Sequence, residues 1–195
     1  MICLIDIDGG EPFMYNALHP RVQELYINLL GELADSLADS KAFGGISSRM
    51  MFSWQWQGWN ALPNMSWGYD DWTIAYFEKD TGIKVPGKPG DPSRFRERYN
   101  FLTGPQREKW IAWRCEKVFD YHRRMLARIQ KAKPEARLFF NWFGLDRRHA
   151  LSADMLDQMR EVGMDWRKYA NEQDIVIIPP GRNVWASLFA SHYRC

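Results

Sequence analysis

The sequence predicts an α/β fold, a partial (β/α)8 TIM barrel of about four β/α units with a parallel sheet. Three observations carry that prediction. Stretches of strand character alternate with helical periodicity along the 195 residues, the order that crossover connections and a parallel sheet require. Returns from helix to strand are short, whereas the connection after the second strand is long and aromatic. No GxGxxG or GxxxxGKS/T follows any strand, which removes the phosphate-cradling loops of doubly wound nucleotide folds. A full barrel typically takes ~250 residues, so residues 1–195 are expected to form a single domain belonging to a larger barrel.

The elements follow in order. Residues 2–8 are apolar up to Asp6 and Asp8 and read as a first strand, closed by Gly9-Gly10. His19-Pro20 opens a helix, because proline suits the first helical position. Val22, Leu25, Tyr26, Leu29, Leu30, Leu33 and Leu37 then recur at helical spacing until Gly44-Gly45. Ile46 to Phe52 reads as a second strand, and 53–68 as a long loop rich in Trp, Gly, Asn, Gln and Pro. Asp70 or Asp71 caps the next helix, which turns Ile74 and Phe77 inward and stops at Gly82 with Pro86 just beyond. A short helical piece over 93–102 precedes a long helix from about Pro105 to Lys133. Its seam steps cleanly through Ile111, Cys115, Val118, His122, Met125 and Ile129, and Pro134 ends it. Arg137 to Phe143 reads as a third strand, Leu151 to Val162 as a helix, and Asp174 to Ile178 as a fourth strand before Pro179-Pro180.

Composition narrows the function. With 46% hydrophobic and 26% charged residues the chain can bury a core, which excludes disorder. No apolar run reaches the ~18–20 residues of a membrane-spanning helix, so no membrane partner is expected. Cys3, Cys115 and Cys195 show no CxxC spacing and the four histidines no HExxH, so neither a zinc or other transition-metal site nor a redox pair is expected. Residues 94–137 hold thirteen Lys and Arg against five acids. These interleave with an apolar seam, as on a solvated helix face, so nucleic acid is not expected either. Met1 leads straight into an element, with no secretory signal. That is how a fragment looks, and an upstream start would fit a secreted or periplasmic protein. No sequence feature speaks to oligomeric state.

In parallel α/β folds, ligands bind at the C-terminal ends of the strands. Reading those ends gives Asp6 and Asp8, then Arg49 with Trp54, Gln55 and Trp56, then Asn141 and Trp142, then Arg182 and Asn183. Ten tryptophans are present, and Trp54, Trp56, Trp59, Trp67 and Trp72 crowd one stretch. Carboxylates, amides and arginine hydrogen-bond hydroxyls, and indoles stack on flat CH faces, so an oligo- or polysaccharide fits this inventory. The competing reading makes the indoles an aromatic plug and the polar groups loop caps. Asp6 and Asp8 alternate by two on a strand and would share a face, in a barrel lumen as a substrate clamp, a base or a cation site, or in the barrel mouth as structural hydrogen-bonding partners. Asp70 and Asp71 lie beside Trp67, Tyr69 and Trp72. Adjacent residues at a helix start do not face each other, so capping is their alternative role.

The stretch Gly68-Tyr69-Asp70-Asp71-Trp72-Thr73-Ile74, with Phe77-Glu78 and Thr81-Gly82, resembles a motif of bacterial glycosyl-hydrolase-like TIM-barrel proteins related to the retaining-glycosidase clan. Trp110 to Arg114 resembles their Trp-x-x-Trp-Arg helix, Lys133-Pro134 their Lys-Pro before a strand, and His19-Pro20 their His-Pro helix start. The resemblance implies a (β/α)8 barrel that cleaves a glycosidic bond with two carboxylates and no organic cofactor. Candidate carboxylates are then Asp6, Asp8, Asp70 and Asp71. Trp54, Trp56, Trp59, Trp67 and Trp142 become candidate sugar platforms, and Arg49 and Asn141 hydroxyl binders. The sequence departs from the clan in one respect: its Asn-Glu, Asn171-Glu172, precedes a strand rather than ending one.

Overall fold

The computed structural model describes residues 3–11, 15–51, 60–143 and 153–178. In chain order these form α1 (Pro20–Leu37), β1 (Gly45–Met51), α2 (Asp71–Thr81), α3 (Arg94–Thr103), α4 (Arg107–Ala132), β2 (Arg137–Phe143), α5 (Ala153–Glu161), α6 (Trp166–Tyr169) and β3 (Ile175–Ile178). Among the described residues there is one sheet, three-stranded and parallel, in the sequential order β1-β2-β3.

The predicted first strand is corrected. Cys3 and Asp6 make only isolated antiparallel bridges, to Tyr15 and Trp67. The cause is local. Oδ1 of Asp6 accepts the N–H groups of Asp8 (2.9 Å) and Gly10 (2.7 Å), and the Asp6 N–H reaches the Gly10 carbonyl. Such a side-chain turn captures the backbone groups that a ladder would use. Asp6 and Asp8 therefore do not alternate along a strand.

The other elements follow their local chemistry. His19 caps α1 through Nδ1, which accepts the Arg21 N–H, and Pro20 takes the first helical position. Asp70 caps α2 by accepting the Thr73 N–H at 2.9 Å, and Gly82 ends the helix in the left-handed region. In α4 every predicted seam residue, from Ile111 to Ile129, is buried. On α1 the apolar residues split: Val22 and Leu30 are buried, but Leu25, Leu29, Leu33 and Leu37 are exposed. The helix meets α4 along a different flank, where Arg128 crosses Gly31 to reach Asp35. A Cβ at Gly31 would run into the Arg128 guanidinium, so a larger residue there would have to displace that side chain from its crossing.

Register puts paired residues on one sheet face. Ile46, Leu138, Phe140 and Ile175 face the helices and join one core with Leu30, Val118, Tyr121, Met125 and Ile129. The opposite face carries Ser47, Phe139 and Val176 on one rung and Arg49, Asn141 and Ile178 on another. These residues are half-buried or exposed, so the described helices leave that face uncovered.

Candidate functional site

The strand ends and the segment 60–70 that leads into α2 form the candidate site. Register brings two of the candidates together: Arg49 pairs with Asn141 on the uncovered face, near the C-terminal ends of β1 and β2. Arg49 is exposed and Asn141 half-buried. Trp142, on the next rung opposite Met50, is placed by its backbone alone. Trp54, Trp56 and Trp59 lie outside the described residues, as do Arg182 and Asn183.

Segment 60–70 is anchored by Arg114, Arg98 and Asn60, of which the sequence marks only Arg114, as part of a motif and without this role. Arg114, buried in α4, donates to the carbonyls of Pro63 (2.6 Å), Trp67 (3.0 Å) and Asn64 (3.4 Å). Arg98 donates to the Tyr69 carbonyl at 2.8 Å and pairs with Asp71 at 2.7 Å. Asn60 donates to Ser48 Oγ on β1 at 2.6 Å, and Ser48 Oγ also bonds the Tyr26 hydroxyl. The Gly68 and Tyr69 N–H groups both reach the Ile5 carbonyl. Gly68 has φ of 101° and lies against Arg114 and Trp110, a backbone position suited to glycine. The signal available beforehand was a basic residue inside an aromatic seam, Trp110-x-x-Trp113-Arg114.

The four carboxylates are held apart by different partners. Asp6 closes its turn, half-buried. Asp8 is exposed and pairs with Arg96. Asp70 is 1% exposed and accepts both the N–H and the hydroxyl of Thr73, while Asn16 bridges to the same hydroxyl at 2.7 Å. Burial pushes the Asp70 carboxyl above the usual range despite these hydrogen bonds. Asp71 points the other way, to Arg98 at 2.7 Å and Arg94 at 3.3 Å. Partial burial would raise Asp71, but the Arg98 hydrogen bond and the two guanidinium charges together hold it below its ordinary value. Trp67 is half-buried, bridged to Asp6 and fixed through its carbonyl by Arg114.

His122 ties this segment to the far side of the helical layer. Its Nε2 bonds the Asn60 carbonyl at 2.5 Å and its Nδ1 the Tyr169 hydroxyl at 2.8 Å. Burial lowers its pKa to about 4, against the smaller raising effect of the Asn60 carbonyl. The unfolded chain therefore takes up this proton first as pH falls. Stability from His122 is complete above its ordinary 6.5 and is lost progressively down to about 4. Expected is a loss of about 3 kcal/mol across that window. Urea titrations at successive pH values check it, with His122→Asn as comparator. An equal pH slope in both proteins would exclude the assignment.

A groove of about 910 Å³ runs between the start of α1, α2 and α4, lined among others by Pro20, Gln23, Trp72, Tyr76, Lys79 and Arg124. It lies in the helical layer and shares no lining residue with the Arg49–Asn141 rung. The basic excess of 94–137 meets acids from other elements: Asp8, Asp35, Asp71, Asp80, Glu161 and Glu172 each pair with a cation there. Among the described residues no group of three or more His, Cys, Asp or Glu is placed to hold a metal ion. Among them, too, no helix is long and apolar enough to cross a membrane.

No family model matches the chain, and no curated protein matches it by sequence. The fold is similar to a solved structure, the PgaB (BpsB) glycoside hydrolase domain from Bordetella bronchiseptica, with a TM-score of 0.52 and 12% identity. The match covers 87% of this chain and 40% of that one, so the chain spans well under half the length of the structure it matches. The likeness is one of fold: a glycoside-hydrolase-like α/β architecture of helices on a parallel sheet.

Proposed function

We propose that the chain is part of a carbohydrate-active (β/α)8-type barrel of glycoside hydrolase kind, taking an oligo- or polysaccharide at the C-terminal ends of its strands. The observation that carries this reading is the Arg49–Asn141 rung. It sets a guanidinium beside an amide on the sheet face that the helices leave uncovered, as in a barrel lumen. The sequential order β1-β2-β3 supports the barrel, since a doubly wound sheet reverses direction at a switch point. The fold likeness to a glycoside hydrolase domain supports the chemistry. In this reading Trp54, Trp56 and Trp59, which follow β1 in sequence, stack sugar rings with Trp67 and Trp142.

Replacing Arg49 or Asn141 by alanine is expected to weaken oligosaccharide binding about tenfold each, the scale of one or two hydrogen bonds. Tryptophan-fluorescence titration measures it. Quenching unchanged by both substitutions would move the site elsewhere.

Hydrolysis on this scaffold needs two carboxyls. Asp6, Asp8, Asp70 and Asp71 are the candidates, and of these burial raises the pKa of Asp70. A second reading, sugar binding without turnover, draws on the structural partners that each of the four already has. Reducing-end release decides between them. Cleavage abolished by Asp70→Asn or Asp6→Asn supports hydrolysis, whereas binding without release supports the second reading. Failure of every polysaccharide to quench or be cut would remove both.

A further inference from the structure

We propose that Asn60 is a positioning residue for the sugar site, gripping β1 from the helix side so that Arg49 keeps its place on the rung with Asn141. The role rests on the carbohydrate reading of that rung. It begins with strand alternation. Ser48 turns toward the helices, buried and opposite Phe140, and the next residue, Arg49, turns to the uncovered face. A group that holds Ser48 and the Arg49 main chain therefore sets where the Arg49 side chain starts, without touching a sugar itself.

Asn60 is that group. Its Nδ2 carries two hydrogens, donating to Ser48 Oγ at 2.6 Å and reaching the Arg49 carbonyl at 3.4 Å. A carbonyl only accepts, so the amide end that faces it is the nitrogen. The grip is tied to three helices. The Asn60 main-chain carbonyl accepts from His122 Nε2 on α4 at 2.5 Å. A neutral ring that donates there accepts at Nδ1, where the Tyr169 hydroxyl of α6 lies at 2.8 Å. Ser48 Oγ shares a further hydrogen bond of 2.8 Å with the Tyr26 hydroxyl of α1. Asn60, Ser48, His122 and Tyr169 are all buried.

Packing alone does not call for an amide at this position. Its Oδ1 is buried and meets no hydrogen-bond donor among the described residues. An unpaired buried acceptor costs stability, whereas an apolar side chain there would leave Ser48 its bond to Tyr26. What the amide adds is its pair of donated contacts, and the two acceptors flank the Arg49 Cα. Side chains that bind a ligand are commonly held in place by such supporting hydrogen bonds.

A double-mutant cycle on the full chain tests the role, read by tryptophan-fluorescence titration with cellohexaose, mannohexaose and chitohexaose, whichever binds tightest. Asn60→Ala is expected to weaken binding about three- to tenfold, and no more than Arg49→Ala does. In the Arg49→Ala background the same change should have no further effect, because the group it positions is gone. A residue that merely supports the fold would act in both backgrounds. Ser48→Ala, a smaller change on the helix side of β1, should act in the same direction and only while Arg49 is present. Without sugar, hydrogen exchange in Asn60→Ala should quicken at 48–50 and not at 45–47, the start of the same strand. Unweakened binding in Asn60→Ala and Ser48→Ala, a loss that persists in the Arg49→Ala background, or unchanged exchange at 48–50 each overturns the positioning role while the sugar site stands. Unweakened binding in Arg49→Ala, or no binding of any of the three sugars, removes the sugar site and this role with it.

Discussion

Arg114→Met is expected to destabilise the protein by about 3–5 kcal/mol, because it leaves three main-chain acceptors without their arginine donor. The guanidinium is 1% exposed and donates to three main-chain carbonyls, those of Pro63, Asn64 and Trp67. No carboxylate takes those hydrogen bonds, and burial lowers its pKa. Of the three carbonyls, that of Pro63 takes the shortest hydrogen bond, 2.6 Å, while the Asn64 carbonyl also accepts the Trp67 N–H at 3.3 Å. Methionine fills much of the volume and leaves the buried Pro63 carbonyl and the part-buried Asn64 and Trp67 carbonyls without the guanidinium, so the loss is one of hydrogen bonds rather than of packing. Arg114→Lys should recover only a minor part, since an ammonium cannot reach three acceptors in fork geometry. Urea denaturation at neutral pH reads the difference. Hydrogen exchange should localise it to 60–70, with the Tyr69 amide among the first to lose protection. A loss below about 1 kcal/mol would mean that water replaces the arginine without cost, and that the segment is anchored elsewhere.

What could be read from the sequence divides along physical lines. α4 was legible because six apolar or neutral residues at helical spacing face one core, and the following Pro134 fixes its end. β2 was legible to the residue, with Leu138-Phe139-Phe140 and Trp142-Phe143 following a proline-stopped helix. Residues 2–8 misled because hydrophobicity reports burial, and Leu4 and Ile5 are indeed buried, but the Asp6 side chain turns the backbone away from any ladder. α1 misled for a related reason. Its apolar pattern is broad enough to bury two flanks, and pattern alone does not say which flank meets α4 and which meets nothing within the described residues. α6 is a single turn, too short for periodicity to register. At the candidate site the Arg49–Asn141 rung was legible as two strand ends, and register made them neighbours. Arg98 was not, and Arg114 was legible only as part of the Trp-x-x-Trp-Arg motif, because a buried arginine that serves carbonyls has the same local pattern as one that faces water.

Trp110→Ala should cost about as much as the loss of Arg114, ~3–5 kcal/mol, through a cavity rather than through hydrogen bonds. Trp110 is fully buried and stacks on Trp113 with centroids 5.2 Å apart and planes 11° from parallel. Phe77 from α2 meets the edges of both indoles, at 5.1 Å and 5.4 Å, and Tyr69 lies 6.4 Å away. Trp113 anchors the far side by donating from Nε1 to Asp80 at 2.8 Å. The stack is thus the joint where α2, α4 and segment 60–70 meet, and removing its central ring empties a space that rigid helices cannot collapse to fill. Trp110→Phe keeps an aromatic ring against Phe77 and Trp113 and should lose clearly less. The two substitutions at 110 and 114 are one helical turn apart, and both side chains border Gly68. Their costs should therefore fall short of additive, because either one alone releases the same segment. A double variant whose loss equals the sum would instead show that the aromatic joint and the arginine fork act on separate parts of the fold.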